Sequence, residues 1–349
     1  MTRRGSPVRL LLAGFGNVGR ALAGILAGRA KYPGLAGLDV GVVGITTGSH
    51  GALASSEGID LASALEEFSR HGRFTTGHPG ATVLDTTSAV ATLDYDVLVE
   101  LSPLSVAGRG EPAISHVRGA LERGRHVVTA NKGPVAWAYR ELTGLAADRG
   151  CRLLYETTVM DGVPVFNLAR HGLRGDVVRR IEGVLNSTTN VVLGELERGA
   201  SMADAVAAAK AAGVAEADPS ADLDGWDGAV KLSVLANAVM GFDLRPESVV
   251  RESVGGMEEG LPRRARRRGA RVKQVCELER NGDAVRGAVR LRELSAGDTF
   301  GRLDGADSAI RFVTDILGTI VVTEERPSLA TTAFGVISDL LALGLPDAG

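Results

Sequence analysis

Residues 209–231, AKAAGVAEADPSADLDGWDGAVK, concentrate the groups that could do chemistry. Glu216, Asp218, Asp222, Asp224 and Asp227 would be strange in a core and ordinary on a loop, and the stretch closes on Lys231. Pro219 and Gly225 break any helix, so residues 216–224 read as a loop. Asp227 and Lys231 stand one helical turn apart at the start of the next helix, on one face, with the acid N-terminal to the base. An exposed surface ion pair would have the same spacing. Residues 232–240 are almost wholly apolar, so this helix is expected to be buried, and a buried lysine–carboxylate pair needs a reason. A carboxylate keeps a neighbouring ammonium charged and fixes its direction. Such an ammonium can stabilise negative charge growing on a substrate oxygen and deliver a proton to it.

A second constellation is Gly14-Phe15-Gly16-Asn17-Val18-Gly19, which fits G-x-G-x-x-G. Alone the pattern is weak, but here it follows an apolar run and opens a helical one, the context a dinucleotide needs. Gly14 permits the tight turn, Gly16 lets the backbone approach a pyrophosphate, and Gly19 allows helix to pack on strand. The plainer alternative is a strand–helix turn with no ligand. The second strand ends in Thr46-Thr47-Gly48-Ser49-His50, with no acid to grip the ribose hydroxyls. Asp39 has roughly the usual spacing but precedes the strand, at the wrong end of a sheet. The hydroxyls of Thr46, Thr47 and Ser49 could meet a 2′-phosphate, which leans toward NADP over NAD.

The elements that must carry these groups alternate at first. Strands are expected at 8–13, 40–45, 96–101, 126–130 and 152–156, with helices at 18–27, 114–123 and 134–149. That alternation implies an α/β fold with a Rossmann-type doubly wound parallel sheet. After about residue 156 the pattern changes: a strand at 177–185, a helix opened by the box Ser201-Met202-Ala203-Asp204, a helix at 228–240, and strands at 271–278, 285–294, 309–314 and 318–323. These suggest an α+β catalytic and dimerisation domain with a mixed sheet. The expected division is 1–155 for the dinucleotide domain, 156–325 for the second domain, and 326–349 for a C-terminal helix packing back on the first.

The chain has 349 residues, 44% hydrophobic and 23% charged, with a net charge of -3. Nothing there favours a nucleic-acid or membrane-surface partner. The arginine cluster at 263–268 has no aromatic interleaving and reads as a solvated helix face. No apolar run approaches the roughly 20 residues that span a bilayer, and the basic start leads directly into the first strand rather than a leader. The two cysteines, Cys151 and Cys276, lie in strand-like runs without metal or redox spacing, as buried thiols of a cytoplasmic protein would. The histidines show no metal-ligand spacing.

Residues 209–231 resemble the homoserine dehydrogenase signature, and other segments agree in order along the chain. Val127-Val128-Thr129-Ala130-Asn131-Lys132 resembles the family's strand ending in Asn-Lys, and Tyr155-Glu156-Thr157-Thr158-Val159 its Glu-Ala-Thr-Val segment. Gly183-Val184-Leu185-Asn186-Ser187-Thr188-Thr189-Asn190 resembles its Gly-Ile-Leu-Asn-Gly-Thr-Thr-Asn. The resemblance covers nearly the whole chain and implies a short form without an ACT domain. It implies interconversion of L-homoserine and L-aspartate 4-semialdehyde with NADP or NAD, in the biosynthesis of threonine and methionine, by a homodimer.

By the same resemblance Lys231 is the proton donor, and Lys132 lies beside the nicotinamide and the reacting carbon. Asp227 and Glu216 hold the substrate, Glu216 by its ammonium, and Asp222 is a further acid of the pocket. Gly213 gives a backbone contact near cofactor and substrate, and Ser102 touches the cofactor. Carbonyls of Glu156, Val159, Asp161 and Val163 hold a sodium-like ion. The chain departs from the family at Met160-Asp161-Gly162, at Ser187, and at 323–328 where a glycine-rich loop is usual. Two other readings stay open: the same hydride chemistry on a related amino-acid alcohol or aldehyde, and a non-catalytic dinucleotide sensor. Retention of both Lys132 and Lys231 argues against the sensor.

Overall fold

The computed structural model describes residues 7–258 and 260–344. The basic residues 1–6 and the last five residues of the C-terminal segment, on which expectations above also rest, lie outside them. The chain divides into two units, one of residues up to Pro164 together with those from Ser328 on, the other Val165–Pro327.

The first unit begins with β1 (Val8–Ala13), α1 (Asn17–Ala27), β2 (Val40–Thr46), β3 (Ala52–Ala54), α2 (Leu61–His71), β4 (Ala81–Thr82) and α3 (Thr86–Thr92). It continues with β5 (Val97–Glu100), α4 (Ala113–Glu122), β6 (His126–Thr129), α5 (Lys132–Trp137), α6 (Tyr139–Asp148) and β7 (Leu153–Leu154). The strands form one sheet in the order β4-β3-β2-β1-β5-β6-β7. From β2 to β7 all pairings are parallel, which gives the Rossmann-like sheet. Leu10, Leu11 and Leu12 are fully buried, as a central parallel strand covered on both faces requires. The far edge departs from the parallel expectation, since β3 runs antiparallel to β2 and β4 antiparallel to β3.

Two expectations about this unit are corrected. Residues 134–149 form two helices, not one, broken at Ala138 (φ -132, ψ 19). Gly133 to Trp137 are all buried whereas α6 buries only Leu142 and Ala146, and the break lets each helix take its own axis. Cys151 is half-buried and precedes β7 rather than lying in a strand.

The second unit runs α7 (Val165–Asn167), β8 (Val178–Val184), α8 (Ser187–Arg198), α9 (Met202–Ala211), α10 (Ser220–Leu223) and α11 (Trp226–Ala238). It ends with β9 (Val250–Arg251), α12 (Leu261–Arg267), β10 (Ala270–Asn281), β11 (Ala284–Ser295), β12 (Ser308–Thr314) and β13 (Thr319–Glu324). Its sheet has the order β13-β12-β8-β10-β11-β9, antiparallel except where β9 joins β11 in parallel, so it is mixed. The helix α11 lies directly on β10 and β11: a Cβ at Gly228 would stand 2.9 Å from Cys276 Sγ and 3.0 Å from Val289 Cγ2. Ser201 caps α9 and accepts from Asp204 N–H, as its box predicts. The stretch 216–224 is not all loop. One helical turn, α10, begins after Pro219, because proline's missing N–H is not needed where a helix starts.

The chain then returns to the first unit as α13 (Leu329–Gly344). Ala333, Val336, Ile337 and Leu340 join Leu10, Leu22, Leu26 and Leu154 in one buried cluster. No helix of the described residues is long and apolar enough to cross a membrane.

Candidate active site

In the second unit α11 carries the pair expected from its spacing. Lys231 Nζ lies 3.1 Å from Asp227 Oδ2, with side chains only 12% and 13% exposed. The ammonium also donates to the carbonyl of Leu185, where the chain leaves β8. Asn186, the next residue, caps α8 by accepting from Thr189 N–H at 2.8 Å. Its amide nitrogen is shared: it donates to Asp222 Oδ1 at 2.8 Å and to Asp227 Oδ2 at 2.9 Å. One end of the sheet thus gathers an ammonium, two carboxylates and an amide. Burial and the neighbouring Asp227 charge raise the Asp222 carboxyl above its ordinary range.

Other residues expected here lie outside that cluster. Glu216 and Gly213 are exposed, on the loop between α9 and α10. Gly213 takes a positive φ of 73° and donates to Lys210 O at 2.9 Å. Lys210 Nζ donates back to Ala217 O at 2.7 Å and ties the loop to α9.

In the first unit the glycine turn joins β1 to α1. Gly14 (φ 120°) and Gly19 admit no side chain: added Cβ atoms would meet Leu101 O at 2.6 Å and Gly14 O at 2.7 Å. At Gly16 a Cβ would meet nothing within 4 Å, and Gly16 caps α1 without a side-chain hydrogen bond. A helix N-terminus open to solvent at a glycine suits a pyrophosphate. Phe15 turns inward and packs on Phe68 and Phe74 at ring distances of 5.3 and 5.2 Å. Asn17 is exposed and Val18 half-buried on the first turn of the helix.

The end of β2 differs in detail from its sequence reading. Thr46 is buried, with its Oγ1 2.9 Å from Thr86 Oγ1. Thr47 Oγ1 donates to Gly51 O at 2.7 Å and accepts from His50 N–H at 2.7 Å. Ser49 is exposed. Across the crevice, Ser102 follows β5, and Asn131 Nδ2 donates to Ser102 O at 2.9 Å. Asn131 caps α5, whose first residue is the half-buried Lys132.

The sequence model of the homoserine dehydrogenase family matches residues 164–341, and that of its NAD-binding domain matches residues 14–156. The chain belongs to the homoserine dehydrogenase family. It is 36% identical over 336 residues to an NAD(+)-dependent homoserine dehydrogenase of Pseudomonas canavaninivorans, covering 95% of each chain. It is 30% identical to a homoserine dehydrogenase of Methanocaldococcus jannaschii, covering 95% of this chain and 97% of the relative. Among solved structures, a hyperthermophilic archaeal homoserine dehydrogenase in complex with NADPH superposes with a TM-score of 0.82 at 28% identity, covering 97% of this chain and 99% of that one. As a family member the chain is an NAD(P)-dependent oxidoreductase.

Within this family member, the turn expected to hold a cation is Glu156–Val163. Glu156 and Val159 are buried, and Asp161 adopts a positive φ of 39°. It is clamped by α13: Asp339 accepts from Glu156 N–H at 2.8 Å, and Thr332 Oγ1 donates to Asp161 Oδ1 at 2.7 Å. Sequence reasoning did not give Asn186 a part in the site. An asparagine ahead of a helix signals a cap, and nothing local signals the two carboxylates it joins.

Proposed function

We propose that the chain interconverts L-homoserine and L-aspartate 4-semialdehyde with NAD or NADP. The observation that carries this is the nearly buried Lys231–Asp227 pair, held by Asn186, in a homoserine dehydrogenase. The bound nicotinamide coenzyme supplies or accepts the hydride. Lys231 gives its proton to the aldehyde oxygen and recovers it from the alcohol in the reverse direction. Asp227 keeps that ammonium charged and directed. Asp222 and Glu216 receive the substrate ammonium, and Gly213 lends a backbone contact. Lys132 adds positive charge beside the nicotinamide. The glycine turn from Gly14 to Gly19 receives the pyrophosphate, and Ser102 touches the coenzyme. With Thr46 occupied by Thr86, and Thr47 by Gly51 O and His50 N–H, the choice of coenzyme falls to Ser49. Carbonyls of Glu156, Val159, Asp161 and Val163 hold a monovalent cation that stiffens the turn.

The same reading assigns residues 1–155 to the coenzyme, 156–325 to catalysis and dimerisation, and 326–349 to the first domain. A homodimer is supported by the edge strand β13 and by the exposed apolar side chains of Val321, Ile316 and Leu317. A cytoplasmic place in threonine and methionine biosynthesis follows from the reaction. The test is an assay of the purified chain with L-homoserine and each coenzyme, following coenzyme reduction. Turnover with homoserine supports the reading; turnover only with another amino alcohol overturns the substrate.

A further inference from the structure

Beneath the coenzyme crevice of the first unit lies a pair of titratable groups that the chemistry above does not use. Glu100 ends β5 and is 0% exposed. Its Oε1 accepts from Ser102 Oγ and, at 3.3 Å, from Ser102 N–H. His116, buried on α4, brings Nδ1 to 3.6 Å from the same oxygen. Glu100 Oε2 and His116 Nδ1 make no hydrogen bond among the described residues. An oxygen of a buried carboxylate left without a donor is costly and rare without a functional reason.

Ser102 stands beside the glycine turn. A Cβ on Gly14 would come within 3.0 Å of Ser102 N. Asn131 Nδ2 reaches Ser102 O at 2.9 Å, Pro103 O at 3.2 Å and Ser102 Oγ at 3.4 Å. A serine hydroxyl has one proton and two acceptor positions. Here the proton goes inward to Glu100, so what Ser102 offers outward is a lone pair.

We propose that Glu100, backed by His116, is a positioning residue for the coenzyme: it turns the Ser102 hydroxyl proton inward, so that Ser102 meets the coenzyme only as an acceptor. The matching group on the coenzyme is a donor, a ribose hydroxyl or the carboxamide N–H. This rests on the reading of Ser102 as a coenzyme contact. Burial raises the Glu100 carboxyl above the ordinary range, and Oε1 is the oxygen that faces the Ser102 hydroxyl.

The experiment titrates the purified full chain with reduced coenzyme by fluorescence. Ser102→Ala and Glu100→Leu should each weaken coenzyme binding by about 5- to 30-fold, the scale of one lost hydrogen bond to a buried partner. The KM for homoserine at saturating coenzyme should stay within about twofold, a split that a general loss of structure would not give. The double variant should be no weaker than either single one, because both remove the same contact. Glu100→Gln keeps an acceptor oxygen toward Ser102 and should recover most of the affinity lost in the leucine variant. If Glu100→Leu does not fold, Glu100→Asp withdraws the acceptor by one methylene and should weaken binding in the same way. Parent-like coenzyme binding in Glu100→Leu or Glu100→Asp, or additive losses in the double variant, overturns the proposal while Ser102 keeps its role. Parent-like binding in Ser102→Ala removes Ser102 itself from the coenzyme site.

Discussion

The amide nitrogen of Asn186 donates to Asp227 Oδ2 at 2.9 Å, the oxygen that stands 3.1 Å from the Lys231 ammonium. Asp227 is therefore held from two sides, and its carboxylate cannot swing away without losing both. Because Asn186 also caps α8, the direction of Lys231 is set by the start of a helix that carries no other catalytic group. Orientation of this kind is much of what a protein adds to hydride chemistry.

Removing the donor itself is the first test. Lys231→Ala should lower turnover roughly 10²–10⁴-fold. Coenzyme binding should stay near the parent's, while Tm falls because Asp227 loses its nearly buried counter-charge. Steady-state kinetics and a melting curve on the same preparation check this, and near-parent turnover takes Lys231 out of the mechanism.

Asp222 makes a pH-dependent prediction. Its carboxyl lies above the ordinary value because it is buried and faces Asp227. A carboxyl raised in the native state favours the protonated form, so its ionisation costs nothing below the ordinary aspartate range. The cost grows as pH rises through the raised value. Asp222→Asn should thus raise Tm at neutral pH, and the gain should vanish below about pH 4. A gain that does not change with pH would show that ionisation of Asp222 is not its source. If Asp222 also holds the substrate ammonium, the KM for homoserine rises in the same variant.

At Glu216, which is exposed, Glu216→Gln should raise the homoserine KM with little change in kcat, since the contact is made in ground and transition states alike. An unchanged KM would leave the substrate ammonium to Asp222 alone.

The glycine turn separates binding from folding. Gly16→Ala meets no atom of the protein within 4 Å, so its Tm should stay close to the parent's. Its coenzyme KM should rise about 10-fold or more, the Cβ standing where a pyrophosphate approaches. Gly14→Ala, by contrast, drives a Cβ to 2.6 Å from Leu101 O and should lower Tm sharply. Equal coenzyme KM in Gly16→Ala and parent would put the phosphates elsewhere.

Coenzyme choice is tested at Ser49. An acid at the buried Thr46 would face Thr86, and one at Thr47 would set a carboxylate against Gly51 O, whereas Ser49 is exposed and Ser49→Asp brings a carboxylate to the solvent side of the loop. It should move preference toward NAD, mainly by repelling the 2′-phosphate of NADP. kcat/KM for both coenzymes on parent and variant decides it. An unmoved ratio would show that this loop does not read the adenosine ribose.

What could be read from sequence follows the range of each interaction. Asp227 and Lys231 are one helical turn apart, so their pairing is visible in spacing alone. Asn186 meets Asp222 and Asp227 across 36 and 41 residues, and no local pattern encodes that. Thr46 looks available on paper and is taken by Thr86, 40 residues on. The parallel strands announce themselves as apolar runs. The antiparallel edge does not, because β3 and β4 are too short to show a period. The helix α2 was legible as well, with Asp60 as cap, Gly72 (φ 66°) as stop and Leu61, Ala64, Leu65 and Phe68 as an apolar stripe packed on the core, yet it is missing from the elements expected above. Glu100 and His116 read as members of a strand and a helix; their pairing is a property of the fold.

The return of α13 to the first unit bears on how the protein is made. Synthesis runs from the N-terminus, yet Ala333, Val336, Ile337 and Leu340 belong to the core that β1 and α1 begin. The sheet of the first unit therefore leaves the ribosome with one side of its core open. It waits while all of Val165–Pro327, a continuous segment, emerges and becomes free to fold. The coenzyme half is begun first and completed last, and through that interval its leucines are the surface that nascent-chain chaperones would find.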